Sequence, residues 1–178
     1  KDTVQEISSA TGKKVLPMNG LTTRKNDNYI CYQPAHLENY NSLKDYQKDW
    51  IKKHADKLLT DADMYTDKQT QTIKDLTPEK IQLIEDRNIV DIAGSDISGI
   101  KALSDTSDEN FKRIKESGLL EYSKFRMDKT TGKELPFKQI KDIVEIVEKS
   151  SDVELKRIID RNILDITPKG LLCIDNDL

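Results

Sequence analysis

The 178 residues predict a mainly α fold: irregular helix-turn-helix units, forming a small helical-repeat array or bundle, with one or two inserted β-hairpins. Three observations lead there. A fifteen-position pattern occurs three times without a gap, an apolar segment precedes each copy, and the composition is charged and poor in aromatics.

The copies are TPEKIQLIEDRNIVD from Thr77, SDENFKRIKESGLLE from Ser107 and SDVELKRIIDRNILD from Ser151. Each opens on a residue whose hydroxyl accepts a bond from the free amides of a first helical turn, so Thr77, Ser107 and Ser151 are predicted N-caps. Pro78, Asp108 and Asp152 follow, one lacking an amide that would be unsatisfied anyway, the others placing a carboxylate at the positive end of the helix dipole. Glu154 completes a capping box with Ser151. Apolar residues sit at the fifth and eighth positions: Ile81 and Ile84, Phe111 and Ile114, Leu155 and Ile158. Asn88, Gly118 and Asn162, the residue types that enter the left-handed region at least cost, are the predicted stops. The capped helices are therefore expected near 77–88, 107–118 and 151–162.

Helices of three turns are marginal alone and must bury their apolar stripe on neighbours. The segments QTQTIKDL, DISGIKAL and QIKDIVEIVEKS supply apolar partners ahead of each copy, giving helix-turn-capped-helix units that stack into arrays. The spacing is irregular because residues 122–137 intervene before the third copy. There Asp128 to Gly132 carry turn chemistry for a hairpin. An open superhelix and a closed bundle both satisfy this pattern.

Charged residues make up 34% of the chain and aromatics 6%, with a net charge of −3. That balance offers no basic field for nucleic acid, and no apolar run is long enough to cross a membrane as a helix. The chain opens on Lys1 and its last residues, ITPKGLLCIDNDL, resemble the start of another unit, so an excerpt of a longer polypeptide is expected. Neither compartment nor oligomeric state is readable.

Residues 1–40 are expected to form a polar segment distinct from the helical region 41–178. VQEISSATGKKVLPM shares its TGK and Leu-Pro with the later DKTTGKELPF, predicting a hairpin turning at Ser8 to Gly12. Tyr29 to Tyr32 form a short extended run closed by Pro34. A long helix is expected from Ser42, with Leu43, Tyr46, Trp50, His54 and Leu58 on its buried stripe. Asp61, Asp63 and Asp67 lack the glycine and closing glutamate of a calcium loop, and Asp61 or Thr66 is read instead as the next helix start. The glycines and serines of residues 91–99 form a loop with a start signal at Ser95 or Asp96, not a phosphate cradle.

Chemistry is thinly represented. Cys31 and Cys173 lack the spacing of a zinc site or disulfide framework, and no cofactor or metal is expected. A small hydrolase or transferase using Cys31 with His36 or His54 can be written down, but nothing in the spacing makes them converge. The preferred function is a non-catalytic protein-interaction or scaffold module whose partner is another protein. A structural spacer is a further alternative. The outward positions to watch are Lys112, Arg113, Lys156 and Arg157, which stacking would align into a basic stripe, and Arg87 and Arg161, whose shared Asp-Arg-Asn-Ile context suggests bridges between adjacent units. The plainer and preferred account of the stripe is a solvated helix face balanced by Glu116 and Asp160.

Overall fold

The predicted caps form as local structure. Thr77 Oγ1 accepts from the Lys80 amide at 3.1 Å, Ser107 Oγ from Asn110 at 3.1 Å, and Ser151 Oγ from Glu154 at 3.2 Å. Asn88 (φ 55°) and Gly118 (φ 74°) adopt the left-handed conformation at the two stops. The computed structural model describes residues 2–17, 29–59, 66–123, 130–132 and 139–160, so the third stop, Asn162, lies outside the described residues.

Among these residues the fold is mainly α, with eleven α-helices and two four-residue strands. The chain divides into one unit, Lys1–Ser104, and a second, Asp105–Leu178. The first holds α1 (Asp2–Thr11), β1 (Lys14–Pro17), β2 (Tyr29–Tyr32), α2 (Pro34–Asn41), α3 (Asp45–Lys53), α4 (Ala55–Leu58), α5 (Asp67–Lys74), α6 (Pro78–Asp86), α7 (Ile89–Ala93) and α8 (Ile97–Asp105, whose last residue falls past the division). The second holds α9 (Asp108–Ser117), a 3-10 helix (Leu119–Ser123), α10 (Ile140–Lys149) and α11 (Asp152–Asp160).

In the first unit α1 packs against β1, α2, α3 and α4, α2 against α5, and α7 against both α4 and α6. Its core includes Ile7, Ile30, Tyr40, Ile51, Leu58, Ile73, Ile84 and Ile89, each fully buried. In the second unit α9 and α10 pack on each other and on the 3-10 helix. Phe111, Ile114, Leu119, Ile143, Val144 and Val147 are among the buried apolar residues these elements contribute. The eighth position of the capped helices, Ile84, Ile114 and Ile158, is buried each time. So is the residue just before each N-cap, Leu76, Thr106 and Ser150.

Two expectations are corrected. The segment read as a hairpin turning at Ser8 to Gly12 is helical: Thr11 Oγ1 donates to Ile7 O at 2.7 Å, the Gly12 amide to Ser8 O at 2.9 Å, and Gly12 is left-handed at φ 71°. The glycine terminates a helix, and a left-handed glycine serves a helix stop as well as a turn. β1 then pairs in parallel with β2, Lys14 opposite Tyr29, which a hairpin cannot do.

The helix expected from Ser42 is also divided. Ser42 closes α2, its Oγ donating to Asn39 O at 2.7 Å, and α3 starts after Lys44. A bend at His54 separates α3 from α4. Of the expected stripe Leu43, Trp50 and Leu58 are buried, with Ile51 and Ala55 beside them, while Tyr46 and His54 are only half-buried. Thr66 caps α5 as read, accepting from the Gln69 amide at 3.3 Å, and Asp96 Oδ1 accepts from the Gly99 amide at 2.9 Å at the start of α8. Asp61 and Asp63 lie outside the described residues, as does the 122–137 insert except Tyr122, Ser123 and Thr130–Gly132.

Candidate functional site

A helix ends with carbonyls that have no partner within the helix, and these carry the negative end of its dipole. In this chain the ends of α5, α8 and α10, each leading into a capped helix, are met by polar side chains from an earlier helix. Gln47 on α3 is fully buried. Its Nε2 donates to Ile73 O at 3.0 Å and Leu76 O at 3.1 Å, while its Oε1 accepts from the Lys44 amide at 2.9 Å. Both amide protons and the oxygen are thereby satisfied, which is what makes a buried carboxamide tolerable. Tyr46 Oη adds a second donor to Leu76 O at 2.9 Å.

Arg87, which closes α6, donates through Nη1 to Leu103 O at 2.7 Å, and Lys80 on α6 donates through Nζ to Ser104 O at 3.3 Å, both at the end of α8. On α9, Arg113 Nη1 donates to Val147 O at 3.0 Å and Nη2 to Ser150 O at 2.7 Å, at the end of α10. Its Nε meets Asp152 Oδ1 at 2.9 Å at the start of α11, and Asn110 Oδ1 accepts from Nη1 at 3.0 Å. The guanidinium fork suits this work because its donors diverge in one plane.

The register is shared. Counted back from the N-caps Thr77, Ser107 and Ser151, the receiving carbonyls belong to the fourth, third or first residue before the cap.

A charged seam runs beside the bend in α3–α4. His54 Nε2 lies 2.7 Å from Glu85 Oε1, Lys53 Nζ lies 3.3 Å from Glu85 Oε2, and Lys57 pairs with Asp91. Burial opposes ionisation of Glu85, but the hydrogen bond and charge of His54, then those of Lys53, outweigh it and hold the carboxyl below its ordinary range. The Trp50 and His54 rings meet edge to face with centroids 6.4 Å apart.

The sequence-selected residues fall in several places. Arg87 and Arg113 turn inward to the helix ends just described. Lys112 is exposed and 3.9 Å from Glu116, while Lys156 and Arg157 are exposed on α11. Arg161 lies outside the described residues. His36 sits in the first turns of α2, its amide bonded to Gln33 O at 3.0 Å, and His54 faces Glu85. Cys31 is in β2, and its side chain is not among those described.

An open groove of 580 Å³ beside α1, β2 and α2 includes Val4, Tyr32 and Leu37 in its lining, and another of 500 Å³ lies beside Glu6 and Lys52. Among the described side chains, neither His36 nor His54 lines either groove. Among the described residues no group of three or more His, Cys, Asp or Glu side chains is placed to hold a metal ion, and no helix is long and apolar enough to cross a membrane.

The bonds that Gln47, Tyr46 and Lys80 make to helix ends were not foreseen from the sequence. The available signal was the fourth position of the capped helices, which is hydrogen-bonding in Lys80, Asn110 and Glu154, and in Gln47 when α3 is aligned on its N-cap Lys44. Comparison with protein families, curated proteins and solved structures found no match to this chain.

Proposed function

We propose that this chain is a non-catalytic protein-interaction or scaffold module built from stacked helical units. The observation that carries the reading is the common register in which α3, α6 and α9 cap the ends of α5, α8 and α10. A side-chain donor that meets the fourth residue before the cap every time, with the third or first as its companion, is expected when each unit satisfies the exposed carbonyls of the next.

On this reading α2–α3–α4 is a further unit ahead of the three visible in the sequence. Leu43 before its cap and Ile51 at its eighth position are buried like their counterparts. Short helices follow the capped ones in the first three units: α4, α7 and the 3-10 helix. Such an array presents a repeated outer face, and with Arg87 and Arg113 turned inward, the basic part of that face among the described residues includes Lys112, Lys156 and Arg157.

The test is affinity capture with the wild-type chain and with the triple variant K112E/K156E/R157E. Identified partners are then reconstituted from purified components. The reading expects at least one partner whose binding the variant weakens. Retention of every partner by the variant, together with a hydrolytic activity that Cys31→Ser abolishes, would overturn it in favour of the thiol enzyme.

A further inference from the structure

Arg157 occupies on α11 the position that Arg113 occupies on α9, each two residues beyond the fifth-position apolar residue, Leu155 or Phe111. Their surroundings differ. Arg113 is 19% exposed at its side chain and bonded to Val147 O, Ser150 O, Asn110 and Asp152. Arg157 is exposed and, among the described residues, has no hydrogen bond or ion pair, and Lys156 beside it is likewise unengaged. The arginine four residues on, Arg161, holds in sequence the position of Arg87.

Two further features set α11 apart. Of the large apolar side chains exposed among the described residues, Val153 (63%) and Ile159 (39%) are both on this helix. The corresponding positions on α6 and α9 carry Glu79 and Glu85, and Glu109 and Lys115.

We propose that the Arg157 edge of α11 is a docking surface for the C-terminal turn of a helix in another protein, one that runs directly into a Ser or Thr N-cap followed by an acid. This rests on the interaction-module reading and specifies its partner. The chemistry is what Arg113 grips within the chain: backbone carbonyls at the negative end of a helix, with a carboxylate on the first residue of the next. Lys156 adds positive charge, while Val153, one turn back on the same edge, offers apolar area.

A second copy of this chain is a poor source of that ligand. Among the described residues, its own helix ends running directly into a Ser or Thr cap, those of α5, α8 and α10, are already filled by Gln47, by Lys80 with Arg87, and by Arg113.

The probe is a fluorescent peptide of residues 139–155, acetylated and amidated, which carries the end of α10 with Ser151 and Asp152 but no arginine to cap it. Its anisotropy is followed on titration with the whole chain at physiological salt. Saturable binding is expected, weakened about tenfold by Arg157→Glu and partly kept by Arg157→Lys, with partial recovery when the Glu variant meets a peptide bearing Asp152→Arg. Circular dichroism should leave both variants folded, since Arg157 is exposed.

Equal binding by wild type and Arg157→Glu, or no saturable binding at millimolar concentration, would overturn the proposal. If captured partners still depended on Lys112, Lys156 and Arg157 while the peptide did not bind, the helix-end ligand would be refuted and the interaction module would stand. Light scattering showing an Arg157-dependent dimer would refute another protein in favour of a second copy.

Discussion

One chemical need is met with different side chains at the end of α5 in the first unit and at the end of α10 in the second. In the first, the end of α5 is capped by Gln47, neutral and fully buried. In the second, the end of α10 is capped by Arg113, charged and partly open to water. A charge sealed as deeply as the Gln47 amide would lose its hydration with only backbone dipoles in return, whereas a carboxamide balances its donors and acceptor on the spot. At the rim of the second unit the guanidinium keeps some water and gains the Asp152 carboxylate. Burial therefore selects the chemistry of the donor while the carbonyl register stays the same.

Core truncation should have the largest effect and make no distinction between the units. Ile84→Ala in the first and Ile114→Ala in the second each remove a fully buried side chain at the same position. Each should cost about 4 kcal/mol locally. The fluorescence of Trp50 reports the first unit on urea unfolding, and amide exchange of α9–α10 reports the second. A cost in one unit several times that in the other would mean the two positions are not equivalent.

Removal of the caps should separate the units. Gln47→Leu orphans the Lys44 amide and strips one donor each from the Ile73 and Leu76 carbonyls, which keep the Leu76 amide and Tyr46 Oη, at about 2 kcal/mol, nearly independent of salt. Arg113→Met should cost about 2 kcal/mol, with part of the loss screened by salt because Asp152 is exposed. Urea midpoints at low and high salt decide the point. Equal salt sensitivity would break the distinction between a neutral and a charged cap.

The helix stops give a smaller contrast. Gly118→Ala forces a Cβ into a left-handed position and should destabilise the second unit by about 1 kcal/mol. Asn88→Gly in the first unit should change stability by only a few tenths of a kcal/mol, since asparagine already tolerates that conformation. Thermal unfolding of the two variants tests both.

The smallest effect is the acid limb of the first unit. Because the folded pKa of Glu85 is lowered, its contribution is fully present above the ordinary carboxylate range and is lost as pH falls through the folded value. Glu85→Gln should flatten that part of the Trp50-detected stability profile below about pH 4.5. An unchanged profile would remove His54 and Lys53 as the cause.

Local chemistry was readable from sequence where one segment determines it. Thr77, Ser107 and Ser151 each bond an amide three residues ahead, so the cap is written in adjacent residues. The same holds for Asn88 and Gly118. At Gly12 the sequence misled, because a left-handed glycine ends a helix and turns a hairpin equally well. The start of α3 was hidden by Lys44, whose side chain has no acceptor, so that only the Gln47 half of the box remains. The inward turn of Arg113 was invisible for a different reason: its carbonyl and carboxylate partners lie more than thirty residues away, and a surface arginine and a capping arginine look identical in a helical stripe.

The most direct test compares Arg113 with Arg157 in one nitrogen-15 NMR spectrum. A guanidinium bonded to Val147 O, Ser150 O and Asp152 should show a resolved Nε–H and distinct, slowly rotating Nη groups protected from solvent exchange, while Arg157 shows averaged, rapidly exchanging signals. If Arg113 instead exchanges and averages as Arg157 does, the helix-end cap is absent in solution and the shared register that joins the two units loses its basis.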